Sequence, residues 1–266
     1  MLLDFDRLGA LRWVLVGIGV VIAVYLILPI VFIVLLSFGS SRWLAFPPPY
    51  WTVRWYQEFF ADDQWLTSIF VSLRVAVVVT VLSTLLGLMA ALGIVRGQFP
   101  GRSLVRAFLL TPMVLPVVVL AVGLYALTLR AGINGTFLGL VAAHMVIALP
   151  FSVIAISNSL VSFDKSIEDA AVLCGASPLW AMWKVTLPAI RSGVAAAAIF
   201  SFLASWDEVV LAIFMSSPRL QTFPVRIWTT LQQDLTPVAA AASSLIIGLT
   251  TVLLLVGFLF ALRRRL

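Results

Sequence analysis

The sequence predicts an all-α protein, a polytopic membrane bundle of six transmembrane helices with both termini in the cytoplasm. Three observations predict it. First, 62% of the 266 residues are hydrophobic and 11% charged, with a mean hydropathy of +1.14, whereas soluble domains carry roughly 25% charged residues. A soluble fold of this length has nowhere to hide so much apolar surface, so the solvent must be lipid. Second, six apolar runs are each long enough to cross about 30 Å of hydrocarbon at about 1.5 Å per residue. Third, the basic residues gather at one set of run ends.

The runs fall at 13–38, 65–95, 105–129, 136–159, 191–215 and 237–262, within a single domain spanning 1–266. Each is expected to be a helix, because a helix satisfies its own backbone polar groups in lipid. The first has too long an apolar core for a secretory signal, and no small-residue cleavage site follows, so it reads as a retained span. The outer loop 39–64 carries Pro47-Pro48-Pro49, which favours an extended stiff segment. Trp51, Trp55 and Tyr56 after it suit a short helix at headgroup level. Pro29, Pro112, Pro116 and Pro150 predict kinks in the spans that hold them. Gly87 with Ala91, Gly193 with Ala197, and Ala239 with Ser243 are small residues at helical spacing, expected to let helices pack closely.

Orientation follows from the charges. One side collects Arg7, Arg12, Arg96, Arg102, Arg106, Lys165, Lys184, Arg191, Arg263, Arg264 and Arg265. The other collects Arg42, Arg54, Arg130, Arg219 and Arg226, with Arg74 inside a run. Eleven against five places the first set in the cytoplasm. The net charge of +6 arises from these flanks. No basic stripe interleaved with aromatics is present, so nucleic acid is not an expected partner. One cysteine, Cys174, and one histidine, His144, leave neither a disulfide framework nor a His/Cys metal cluster. His144 reads as a hydrogen-bonding packing residue rather than a proton relay. A nucleophile–base set on separate spans is also lacking, which argues against an intramembrane enzyme.

The cytoplasmic stretch 160–190, LVSFDKSIEDAAVLCGASPLWAMWKVTLPAI, is too polar to continue the fourth span yet is patterned. Ser166 is the expected N-cap of a short helix, with Glu168 and Asp169 in its first turn. Ile167, Ala170, Ala171 and Cys174 form one face, and Gly175 is the expected stop. Ser177-Pro178 opens a second short helix, and Pro188 closes it. Two short helices around a glycine turn make a knob suited to docking on a soluble partner.

Asp169-Ala170-Ala171, three residues, Gly175, nine residues, then Val185-Thr186-Leu187-Pro188 and Ser192-Gly193 resemble the EAA loop of type I ATP-binding-cassette importer permeases. The resemblance extends to FPPPYWTVRWYQEFF at 46–60, Leu149-Pro150-Phe151, SWDEVVLAIFMSSP at 205–218, Phe223-Pro224-Val225-Arg226-Ile227-Trp228 and Leu235-Thr236-Pro237, which look like the spermidine/putrescine permease subfamily. It implies the type I importer fold and a multi-pass place in the bacterial inner membrane. It also implies a second and different permease, two copies of a cytoplasmic ATPase, and a periplasmic binding protein that delivers substrate. Glu168, Asp169, Ala170, Ala171, Leu173, Gly175 and Ala176 are thereby expected to contact the ATPase. The family's glutamate is Asp169 here, with Glu168 just before it, which leaves open which acid makes the contact. No GxxxxGK[ST] loop occurs, so ATP and magnesium are expected on the partner and this chain is expected to be non-catalytic and cofactor-free.

Acids inside apolar runs mark solute paths, since each costs about 2.5–3.5 kcal/mol at mid-helix. Asp207 and Glu208 lie in the fifth run, Asp207 about 24 Å from Arg191 along the axis at 1.5 Å per residue. Asp207, with Glu208, Trp206 and Arg74, is the candidate path, where a cationic amine can also rest on the tryptophan face. The open alternatives are an Asp207 or Glu208 ion pair with Arg74, or a place at the partner interface. Met113 stands after Pro112 where some polyamine permeases carry an acid, so a gamma-aminobutyrate-like amine, aminophosphonate, thiamine or ferric iron remains an alternative cargo. A stand-alone secondary transporter is the reading outside this class, but no internal repeat supports it.

Overall fold

The computed structural model of the chain describes residues 9, 11–42, 45–233 and 236–263. Arg7, Leu235, Arg264 and Arg265 lie outside the described residues. The helices are α1 Leu11–Ser37, α2 Arg54–Ala61, α3 Asp63–Arg96, α4 Arg102–Leu110, α5 Val117–Arg130, α6 Phe137–Ser162, α7 Lys165–Leu173, α8 Pro178–Ala181, α9 Leu187–Ala189, α10 Arg191–Trp206, α11 Val210–Met215, α12 Phe223–Gln233 and α13 Pro237–Arg263. Among the described residues no β-strand forms, only isolated bridges such as Gly39 with Trp51. All six apolar runs are mainly helical, and α1, α3 and α6 are each long and apolar enough to span a bilayer unaided. In α1 only Ser37 is buried, and Tyr25 is 76% exposed. An apolar surface of that extent belongs in hydrocarbon or against another membrane helix.

Two expected spans are broken. The third, expected to be continuous over 105–129, bends by 103° between residues 113 and 117. Pro112 and Pro116 have no N–H to give to the carbonyls four residues back. Residues 111–113 tighten into a 3-10 turn, and Pro116, at ψ 125°, has left the helical region. The fifth, expected over 191–215, stops at Trp206 and restarts at Val210. Asp207 has ψ 4° there, and short acids favour such ends because they compete with the helix for backbone hydrogen bonds. Asp207 and Glu208 thus sit in a break, not on successive positions of one helix.

The chain forms two compact units, one of Met1–Asp62 with Thr229–Leu255 and one of Asp63–Trp228 with Val256–Leu266. In the first, the outer loop closes on itself. Trp55 donates its indole N–H to the Gly39 carbonyl at 2.5 Å, the Ser37 and Tyr56 hydroxyls meet at 2.6 Å, and the rings of Phe38 and Tyr56 are 5.0 Å apart. The expected short aromatic helix is α2.

In the second unit α3, α6 and α10 pack against one another. The contacts are made by small residues, as expected: a Cβ on Gly87 would stand 2.5 Å from Ser152 Cβ, and one on Gly193 would strike Ser159. Ser152 and Ser201 hydrogen-bond across the gap at 2.7 Å, and His144 Nδ1 hydrogen-bonds Ser205 at 2.9 Å. His144 is fully buried, in keeping with its expected packing role. At the outer end, the Phe223 N–H donates to Ser72 Oγ at 2.7 Å, and Phe223 packs edge-on against Trp65.

Candidate functional site

The cytoplasmic knob is built by caps. Asp164, not the expected Ser166, starts α7: its Oδ1 accepts the Ser166 N–H at 2.9 Å. Either residue type can cap. The chain reaches extended geometry at Asp164 (ψ 115°) and is already helical at Lys165, which settles the choice. Hydrogen bonds from the Ser166 backbone and side chain, with the charge of Arg96 nearby, hold the Asp164 carboxyl below the usual carboxylate range. A depressed folded pKa means that the ionised cap persists through neutral pH and is lost only as pH falls through that lowered value.

The other end closes as a Schellman motif. The Gly175 N–H donates to the Val172 carbonyl at 2.9 Å and the Ala176 N–H to the Ala171 carbonyl at 3.1 Å, with Gly175 at φ 96°. Ser177 then caps α8, its Oγ accepting the Trp180 N–H at 3.3 Å, with Pro178 at the first position as expected. Residues 182–186 relax into a π-helical turn, and α9 leads, through a 70° bend, into α10.

The two acids separate in role. Glu168 is half-buried, and its Oε2 accepts the Thr186 hydroxyl at 2.7 Å, tying α7 to the turn before α9. Asp169 is exposed and only loosely paired with Lys165 at 4.0 Å, a contact worth little at a surface. Leu173, one turn on from Asp169, is 88% exposed. Ala170 and Gly175 are also exposed, and Ala171 and Ala176 are half-buried. Sequence reasoning missed Thr186, Asp164 and Arg96. The Arg96 guanidinium reaches the Phe163 carbonyl at 3.4 Å and lies 5.8 Å from the Phe163 ring, holding the joint between α6 and α7. Thr186 was visible only as part of the Val185-Thr186-Leu187-Pro188 spacing.

Removing the Glu168–Thr186 bond is expected to loosen the knob. A part-buried hydrogen bond to a charge contributes about 1.5–3 kcal/mol. In a double-mutant cycle, Glu168→Ala and Thr186→Val each lower ATP-driven uptake severalfold, and the double variant is little worse than either. Fully additive losses in uptake would refute the pairing.

The second group lies at the outer break. Asp207 is exposed. Glu208 is half-buried and its Oε1 accepts the Leu211 N–H at 2.7 Å, fastening the restart of α11. Trp206 is 2% exposed and stacked on Phe202 with ring centres 5.7 Å apart, so its face is covered from outside. Arg74 is exposed on α3. It lies 22 residues from Arg96, roughly 33 Å along the helix at 1.5 Å per residue, about the thickness of the hydrocarbon layer. Among the described residues no ion pair joins Arg74 to either acid.

Residues 83–266 match the family of binding-protein-dependent transport system inner membrane components. The chain is 30% identical over 249 residues to the spermidine/putrescine transport system permease protein PotC of Escherichia coli (strain K12), covering 92% of each. It is 29% identical over 246 residues to the putrescine transport system permease protein PotI of the same strain, covering 88% of this chain and 85% of that one. The fold is similar to a bacterial alginate ABC transporter solved in complex with alginate pentasaccharide-bound periplasmic protein (TM-score 0.71, 18% identity, 97% of this chain and 94% of that one). A capped cytoplasmic knob on an all-α membrane bundle, joined to these matches over most of the chain, makes this protein a member of the binding-protein-dependent transport family, a multi-pass permease subunit of an ABC importer.

Proposed function

We propose that this permease passes a small organic cation, of the spermidine or putrescine type, from a periplasmic binding protein across the bacterial inner membrane. A second, different permease completes the path, and two copies of a cytoplasmic ATPase hold the ATP and magnesium. This chain supplies no catalytic group and binds no cofactor of its own. The observation that carries the reading is the division of labour between Glu168 and Asp169. Asp169, with Ala170, Leu173, Gly175 and the half-buried Ala171 and Ala176, is the surface offered to the ATPase. Glu168 keeps that surface rigidly tied to Thr186 and so to α9 and α10. A push on α7 then moves α10, whose far end is the break at Asp207.

The cargo assignment rests on the named relatives and on Asp207. That carboxylate is exposed at the break, where Glu208 fastens the restart of α11 and Trp206 is buried against Phe202. Arg74, exposed on α3, is a further candidate for the path. A single exposed acid also suits a singly charged amine, so the cargo class is an amine with at least one cation. In proteoliposomes holding the assembled transporter, Asp207→Asn is expected to cut putrescine uptake by about tenfold, since a charge-assisted bond of about 1.5–3 kcal/mol is lost. Asp207→Glu keeps most of it. Normal uptake by a fully assembled Asp207→Asn transporter defeats the path assignment. A cognate binding protein stabilised by ferric iron or by an anion alone defeats the amine.

A further inference from the structure

We propose that a pocket at the cytoplasmic end of α3, α4 and α6 binds a phosphate-bearing anion. The cavity is about 290 Å³ and is lined by Arg102, Ser103, Arg106, Ser157 and Asn158. Arg102 and Arg106 are four residues apart on α4 and therefore on one face. Arg102 donates one N–H to the Gly97 carbonyl at 3.2 Å, leaving most of its five donors free. Arg106 has no hydrogen-bond or ion-pair partner among the described residues, and no carboxylate lines the pocket.

The floor adds an independent observation. Ser157 Oγ is buried and has no hydrogen-bond partner among the described residues, a state that a polar group arriving in the pocket would relieve. Two planar guanidinium forks, a serine hydroxyl and an asparagine amide are the donor set that a tetrahedral phosphate takes up.

The same phosphate chemistry is carried by a phospholipid headgroup and by free phosphate. The surroundings favour the lipid. α4 buries none of its residues. Its Leu104 and Phe108 are 73% and 77% exposed on the side away from the two arginines, which is the pattern of a helix lying in a membrane interface. Val161, at the pocket edge, is 73% exposed and offers an apolar wall to an acyl chain. Arg102 and Arg106 belong to the cytoplasmic set of basic residues, at inner-leaflet headgroup level.

The test uses the assembled transporter in nanodiscs of mixed phosphatidylcholine and phosphatidylglycerol, with retained lipid read by native mass spectrometry. Wild type is expected to retain phosphatidylglycerol. Arg106→Gln should weaken retention about fivefold and Arg102→Gln/Arg106→Gln roughly 25-fold, at about 1 kcal/mol per arginine. Ser157→Ala, which changes no charge, should weaken it severalfold, while the outer-face Arg130→Gln leaves it unchanged. In a second arm, inorganic phosphate is added to discs of phosphatidylcholine alone. Arginine-dependent stabilisation by phosphate in that arm, with equal lipid retention in the first, also upholds the anion site and makes its source soluble. Equal lipid retention by wild type and the double variant, with no arginine-dependent effect of phosphate, overturns the proposal.

Discussion

Gly175→Val is expected to uncouple the transporter while leaving its membrane bundle folded. Gly175 stands at φ 96°, where a β-branched residue is a true outlier, and such strain costs about 1–3 kcal/mol. Beyond its chain neighbours, no atom of the described residues lies within 4 Å of where a Cβ would sit, so the penalty is one of backbone conformation and not of collision. The chain escapes it by leaving the left-handed region. That breaks the two bonds, Gly175 to Val172 and Ala176 to Ala171, that turn α7 toward α8. The surface carrying Asp169 and Leu173 is then misdirected. The expected result is wild-type abundance in the membrane, loss of the ATPase on copurification, and uptake reduced at least tenfold. A graded series sharpens it. Gly175→Asn, tolerated in this conformation, should stay near wild type, Gly175→Ala should be intermediate, and valine worst. Normal coupling in the valine variant would remove the turn from the mechanism.

That turn was legible in the sequence because its cause is local. A glycine after a short periodic face, and Ser177-Pro178 two residues on, specify a stop and a start by stereochemistry alone. The six helical runs were legible for an equally simple reason, since lipid leaves the backbone no alternative. The same signal hides breaks within a run. Val114 and Leu115 are as apolar as a helix interior, so hydropathy carries straight across the 103° bend. Pro112 and Pro116 announced a kink, but its size depends on two missing N–H donors falling four residues apart. At Asp207 no glycine or proline marks the break at all.

The division between Glu168 and Asp169 could not be read from the chain. Both acids are adjacent and of like charge, and the deciding partner, Thr186, is 18 residues away around two turns. Likewise Trp206 and Asp207 are neighbours in sequence, yet one is buried and the other exposed. Spacing names the candidates at such places, and tertiary packing decides which side chain is buried and which is exposed.

Gly87 provides the largest expected effect on stability, and it tests whether close approach of α3 and α6 holds the unit together. A Cβ there would stand 2.5 Å from Ser152 Cβ, 3.2 Å from the Ser152 carbonyl carbon and 3.3 Å from the Val153 nitrogen. Two of these three are backbone atoms of α6, which cannot swing aside as a flexible side chain would. Inserting even one methyl into such a contact costs about 1–3 kcal/mol, and it also threatens the Ser152–Ser201 bond that links α6 to α10. Gly87→Ala is expected to lower the thermal midpoint of the detergent-purified chain, and Gly87→Leu to prevent its recovery as a folded species. The matched comparison lies on the same helix. Gly93 has nothing within 4 Å of its missing Cβ, so Gly93→Ala should be neutral or stabilising by up to about 1 kcal/mol from helix propensity. A second change separates collision from a general loss of flexibility. Ser152→Gly in the Gly87→Ala background reopens part of the space, so the two substitutions should couple strongly rather than add. If Gly87→Ala and Gly93→Ala melt alike, the helices are not held by that approach, and the polar seam of Ser152, Ser201, His144 and Ser205 must carry the packing instead.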